Sequence, residues 1–299
     1  MKTRHPFMNL KVEIPKDKLD DVRNIRNWLI HQYHLPELTD QHILMFLHSC
    51  YYSGEMTKST IDNYYTVRTQ CPDLFSNRDM DNMKLQLENF VMVPLPLPTP
   101  EGYRIILYKL HNTDPSIFNF MDALRGFISL NDIRISEDGP VEGYRVVFDM
   151  KGLSFGHLTR ASANIQAVRK FMIYIQDCHP VRLKGVHIIN TMSLIDMCLN
   201  MVKPVMHSEL FEILHLHNTV EGLSEFFSLD LLPKDYGGKL ATDTLEMNKK
   251  HLSFVMKNYK TWVKEEESFV ADLKKRPEKS KNQILGLELE GSFKSLSID

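Results

Sequence analysis

Apolar residues recur at three- and four-residue intervals in Val22, Ile25, Trp28 and Leu29, and again in Ile43, Leu44, Phe46 and Leu47. This spacing predicts short helices in the first quarter of the chain. Pro36 stops the first helix, Thr39-Asp40 can cap the second, and a third runs from Thr57 to Arg68 before Cys71-Pro72. From Val91 to Pro100 proline alternates with apolar residues, so this stretch is extended and marks a domain boundary. Beyond it, Tyr103 to Leu110, Tyr144 to Met150 and Val186 to Asn190 read as strands. Helix-period segments at Asp122 to Leu130 and Ile165 to Asp177 fill the gaps, an alternation that predicts an α/β fold with a mostly parallel sheet and helical crossovers. Phe226 to Leu229 is a candidate further strand, Leu245 to Leu273 one or two closing helices, and the chain ends in a polar, then apolar-bearing tail from Ile284 to Phe293. No internal repeat is visible.

Composition narrows the function classes. The chain has 299 residues, 43% of them hydrophobic, enough for one large domain or two unequal ones. With 36 basic against 38 acidic side chains it lacks the positive surface that nucleic-acid binding requires. Met1 to Lys16 holds no apolar core for a signal peptide, and no apolar run approaches the roughly 20 residues that span a bilayer, so a cytoplasmic location is expected. Cys50, Cys71, Cys178 and Cys198 lie far apart without a C-x-x-C pair and read as reduced, mostly buried thiols.

Three segments carry candidate chemistry. Gly152-Leu153-Ser154-Phe155-Gly156 fits G-x-S-x-G, the turn that presents a serine nucleophile in α/β-hydrolases. A hydrolase would use Ser154, a base at His215 or His217, and an orienting Asp177 or Asp196. Asp149, Met150 and Lys151 intervene between strand and glycine, and no glycine-rich oxyanion loop precedes, so a structural turn is the favoured reading. His215-Leu216-His217 reads as helix-surface histidines rather than a metal site, because residues two apart on a helix diverge. No phosphate-binding glycine loop is present. Leu194 to Val202, rich in methionine, leaves almost no polar face around a helix, which suits either a core helix or a gate between an enclosed ligand and lipid; Lys203-Pro204 could then be its hinge.

From Leu29 to Gly238 the chain resembles CRAL-TRIO proteins, the family of retinaldehyde, tocopherol and phosphatidylinositol carriers. The resemblance rests on Tyr64-Tyr65-x-x-Arg68, Cys71-Pro72-x-Leu74-Phe75, Phe148-Asp149-x-x-Gly152-Leu153-Ser154, Gln176-Asp177-x-x-Pro180-Val181-Arg182, His187-x-Ile189-Asn190, Lys203-Pro204 and Leu232-Pro233-x-x-Tyr236-Gly237-Gly238. The tail Gly291-Ser292-Phe293-Lys294 resembles the end of invertebrate members. The resemblance implies an all-helical N-terminal domain (1–90), a lipid-binding domain with a closed apolar cavity and mobile helical gate (91–245), a C-terminal helix (246–275) and a basic linker and docking tail (276–299). It implies a monomeric, non-enzymatic carrier of one small hydrophobic ligand, whether retinoid, carotenoid, tocopherol or a similar isoprenoid or fatty lipid, working by transient membrane contact without a cofactor. A serine hydrolase or a lipid-sensing scaffold is the alternative.

Matched residue by residue, the ligand-binding positions are Leu124, Phe127, Ile128, Asn131, Phe148, Phe171, Tyr174, Ile175, His179, Val181, Val186, Met197, Cys198 and Met201, with Leu194, Ile195, Leu199 and Val202 as the gate. Phe127 and Asn131 stand where the tocopherol carrier has two serines and His179 replaces an aromatic, which weakens a tocopherol assignment; Asn131, His179 or Tyr174 could bond a ligand's polar group. Arg182 and Lys184 keep two of the family's phosphoinositide-responsive cations. Glu209 and Ile213 replace two others, and Met45, His48 and Cys50 fill an arginine-rich stretch, so headgroup binding is expected to be weak. Lys274, Lys275, Arg276, Lys279 and Lys281 form a charge run that is either solvated or a membrane patch.

Overall fold

The computed structural model describes residues 12–191 and 193–277. The N-terminal region is a set of helices, α1 (Leu19–Leu29), α2 (Asp40–Ser49), α3 (Gly54–Gln70), α4 (Pro72–Phe75) and α5 (Lys84–Asn89). Thr39 caps α2 in a reciprocal box with His42, and Ser53 caps α3. Val22 and Ile25 of α1 meet Ile43, Phe46 and Leu47 of α2 and Ile61, Tyr64 and Tyr65 of α3 in one buried cluster, so the predicted periodicity is the packing face.

The rest alternates strand and helix: β1 (Phe90–Pro94), β2 (Tyr103–Leu110), α6 (Phe120–Asp138), β3 (Gly143–Asp149), α7 (Phe155–Ser162), α8 (Ile165–Ile173), β4 (Leu183–Ile189), α9 (Ile195–Val202), α10 (Ser208–Glu212), β5 (Leu214–Leu216), α11 (Thr244–Asn258) and α12 (Lys260–Glu266). The five strands form one sheet in the order β1-β2-β3-β4-β5. The β1–β2 pair is antiparallel and the others parallel, as the strand-helix alternation predicts.

Two sequence expectations are corrected. The proline-punctuated stretch at the boundary is extended as expected, and its first part is an edge strand, β1, because an edge tolerates the missing N–H of Pro94. Phe226 to Leu229 is no strand; it sits between two 3₁₀ turns, Val220–Glu225 and Leu229–Leu231, with Phe227 buried against the sheet beside Val147 and Ile189. His215 lies on strand β5 rather than on a helix, its alternating neighbours having mimicked a polar helix face in so short a run. Among the described residues no helix is long and apolar enough to cross a membrane. The tail from 278 onward, with Lys279, Lys281 and Ile284 to Lys294, lies outside the described residues.

A buried ionic knot joins the two regions. Asp132 of α6 accepts from Arg68 of α3 at 2.8 and 2.9 Å and from Arg78 at 2.7 Å, with all three side chains at most 2% exposed. Several buried histidines are held neutral: burial pushes His42 and His187 down to about 3, with neighbouring His215 and Arg145 adding to the effect on His187. The unfolded chain takes up those protons near pH 6.5 and the folded chain does not. Stability is therefore full above about pH 6.5 and falls on acidification, by up to about 1.4 kcal/mol per histidine per pH unit. Thermal melts at pH 7.5, 6 and 5 should show a steadily falling midpoint; a flat midpoint over that range sinks this account.

Candidate functional site

The two faces of the sheet differ in what covers them. On β3 and β4, Val147, Asp149, Gly185, His187 and Ile189 are fully buried, under Leu223, Phe227 and Leu232 in the case of the apolar ones. Val146, Phe148, Val186 and Ile188, on the opposite face of central strands, are only half-buried. The reason is a cavity of about 290 Å³ over that face.

Register builds the cavity floor. Ile106, Val146, Val186 and Leu214 are partners across four strands, and Tyr108, Phe148 and Ile188 form the next row. A bulge where β3 pairs with β4 puts Leu183 opposite Tyr144 but Gly185 opposite Arg145, so Leu183, Val186 and Ile188 all reach the cavity despite uneven spacing. One wall is aromatic: Phe171 of α8 meets Phe127 of α6 edge-on at 5.2 Å, and Phe127, Tyr108 and Phe148 stack at 5.1 and 4.7 Å. The roof is Cys198, Leu199 and Val202 of α9, with Met206 and Leu210 behind them.

Polar groups are few and mostly engaged. Tyr108 Oη donates to Asn131 Oδ1 at 3.3 Å, Asn131 Nδ2 donates to the Phe127 carbonyl at 2.8 Å, and Arg134 and Tyr144 both donate to Asp138. His179 lines the cavity and shares a 3.1 Å hydrogen bond with Tyr174. Burial pushes its imidazole down to about 4, so it is neutral near pH 7. Burial also raises the Cys198 thiol, which stays protonated.

Of the matched positions, Phe127, Asn131, Phe148, Phe171, Ile175, His179, Val181, Val186 and Cys198 line the cavity, together with Leu199 and Val202 of the expected gate. Leu124 and Ile128 instead join the N-terminal helical cluster, being turned about 60–100° from Phe127 around α6. Tyr174 is fully buried in that same cluster. Met197 is 41% exposed, Met201 accepts a hydrogen bond from Ser162, and Leu194 and Ile195 are half-buried at the start of α9, all four outside the lining. The helix is not apolar all round as its sequence suggested, since Asp196 and Asn200 point outward. The sequence reading passed over Ile106, Tyr108, Tyr144, Val146, Ile188 and Leu214; their period-two alternation was the available signal, obscured in β4 by the bulge.

The hydrolase constellation is not assembled. Ser154 caps α7, its N–H donating to His157 Nδ1 at 3.2 Å and its Oγ lying 2.8 Å from the same nitrogen. His157 Nε2 is buried with no hydrogen-bond partner among the described residues, so no acid orients that ring as a base. His215 and His217 stack on His187, beyond β4 from the serine's strand, and Asp177 pairs with His207 at 3.7 Å.

Arg182 and Lys184 both reach Tyr51. Tyr51 and Tyr52 hold left-handed φ of 51° and 62°, a strained turn for two bulky residues. Arg182 stacks on the Tyr51 ring at 4.3 Å while its Nε donates to the His48 carbonyl, and Lys184 Nζ donates to Tyr51 Oη at 2.7 Å. Met45 and Cys50 are buried.

Comparison with known proteins places these features in context. Residues 14–85 match the family described as Pinta-like, UBA domain, and residues 90–238 match the CRAL/TRIO domain. The Mus musculus alpha-tocopherol transfer protein-like is 26% identical over 230 residues, 76% of this chain and 66% of that protein. Clavesin-1 of Xenopus laevis is 25% identical over 234 residues, 76% of this chain and 70% of that one. The chain thus spans about two thirds of the length of the curated relatives it matches. The crystal structure of Sfh5 aligns with a TM-score of 0.48 and 12% identity over 83% of this chain and 99% of that one.

Proposed function

The chain belongs to the CRAL/TRIO family, and from that premise we propose that it is a non-enzymatic cytoplasmic carrier that encloses one small hydrophobic molecule and transfers it at membranes. The observation that carries this reading is the roofed cavity, whose floor is two rows of apolar side chains on the central strands. A ligand burying about 400 Å² of apolar surface there gains about 10 kcal/mol before the cost of association. Escape into water is correspondingly slow, so release needs an apolar acceptor in contact with the roof. Exposed Met197 on α9 and Phe211 on α10 give that roof an outward apolar surface. With Arg182 and Lys184 committed to Tyr51, contact rather than phosphoinositide exchange is the trigger.

Native mass spectrometry before and after solvent extraction tests the reading. The purified chain should carry an extractable apolar molecule, or take one up from vesicles, in a one-to-one ratio. A chain that neither copurifies with nor acquires such a molecule is not a carrier. Ser154→Ala separates the hydrolase alternative: it should lose only the helix cap, about 1 kcal/mol of stability, and keep its ligand content, with no fluorophosphonate labelling of wild-type Ser154. Labelling that vanishes in the variant would reinstate the serine as a nucleophile.

A further inference from the structure

One polar side chain of the cavity wall is oriented from the N-terminal domain. Arg68, on α3, is fixed by its two bonds to Asp132 and by stacking on Tyr64 at 4.2 Å. It donates to Tyr174 Oη at 3.4 Å. A guanidinium has no acceptor, so the Tyr174 hydroxyl must accept from Arg68 and send its own proton elsewhere. The partner on its other side is His179 Nδ1 at 3.1 Å, which therefore accepts. A neutral imidazole that accepts at Nδ1 carries its hydrogen on Nε2. Among the described residues the ring's hydrogen bond is the one at Nδ1, which leaves Nε2 open, and His179 lines the cavity.

Resting on the carrier reading, we propose that Arg68 and Tyr174 act as positioning residues that lock His179 with its Nε2–H as a donor into the cavity, selecting ligands that end in a neutral hydrogen-bond-accepting oxygen over plain hydrocarbons. A hydrocarbon leaves that donor unpaired. A carboxylate would bring a charge that the neutral ring cannot match, and Arg134, a cation in the lining, is already paired with Asp138. A ketone and an alcohol both accept from Nε2–H, and Asn131 Oδ1, which takes one bond from Tyr108, keeps a second lone pair for the alcohol's own proton. Tyr174 is not in the lining, so its effect on selectivity is transmitted through His179.

Two measurements test the relay. In a ¹⁵N-resolved histidine spectrum, the signal absent from His179→Phe should show a protonated Nε2 and an unprotonated Nδ1; the reverse pattern overturns the proposal. In the second, a long-chain methyl ketone, the primary alcohol and the alkane of equal length displace an environment-sensitive apolar dye from the full chain. The wild type should favour both ketone and alcohol over the alkane by about tenfold. His179→Phe and Tyr174→Phe should both collapse the ketone preference toward unity. A merely structural role for Tyr174 weakens all three ligands together and keeps their ratios, which overturns the relay. Failure of the dye and all three compounds to bind refutes the carrier reading itself, whereas alkane binding without ketone preference refutes only the relay.

Discussion

Replacing Val186 with tryptophan is expected to abolish ligand binding while leaving the fold standing. Val186 sits in the middle of the cavity floor, between Val146 and Leu214 in register, and is half-buried only because the void lies above it. Larger side chains in a close-packed core force their neighbours apart at a cost of about 1–3 kcal/mol. Here the indole has a cavity to enter, so the thermal midpoint should move by only a few degrees, while affinity for any apolar ligand falls by at least about 100-fold. Copurified ligand and dye uptake measure the loss, and a parallel melt shows that the protein is folded. Wild-type uptake by the variant would mean that the ligand lies elsewhere.

Asp132→Asn is expected to be the most destabilising single substitution on stability, by about 3–5 kcal/mol, because it strands two buried guanidinium groups. Arg68 and Arg78 are at most 2% exposed, and both pair with this carboxylate. The loss would appear as a lower urea midpoint with an unchanged slope. Replacing all three residues with apolar ones of similar volume should cost less than the single change, since desolvated charge is removed rather than orphaned. If the triple variant were as damaged as Asp132→Asn, the account in terms of stranded charge would fail. The knot ties α3 to α6 and supports Tyr174, so Asp132→Asn should also blur the selectivity that His179 confers.

The legible part of this protein was what local physics dictates. Helical spacing in Val22 to Leu29 and Ile43 to Leu47 marked the faces that pack in the N-terminal cluster, and the run Tyr103 to Leu110 was a strand from end to end. Where a strand was three residues long, as at Leu214 to Leu216, there was too little periodicity to tell it from a helix turn. Family motifs brought most of the cavity's helical residues into view, yet they could not separate Phe127 from Ile128. Adjacent residues on a helix share a motif but not a direction.

Sequence alone determined most of the order of helices and strands and the apolar character of the central strands, because each depends on residues near one another in the chain. The tertiary structure decided which apolar residues face a void and which face a packed core, since that depends on what the neighbouring elements leave unfilled. It also decided what the charged and polar residues do. Arg182, Lys184 and Ser154 looked like candidates for ligand or chemistry, and the structure pairs them with Tyr51 and His157. His179, one of three polar residues that the family resemblance offered for a ligand's polar group, is linked through Tyr174 to Arg68, 111 residues away, because hydrogen bonds fix a tautomer only when the donors and acceptors are brought within reach by the fold.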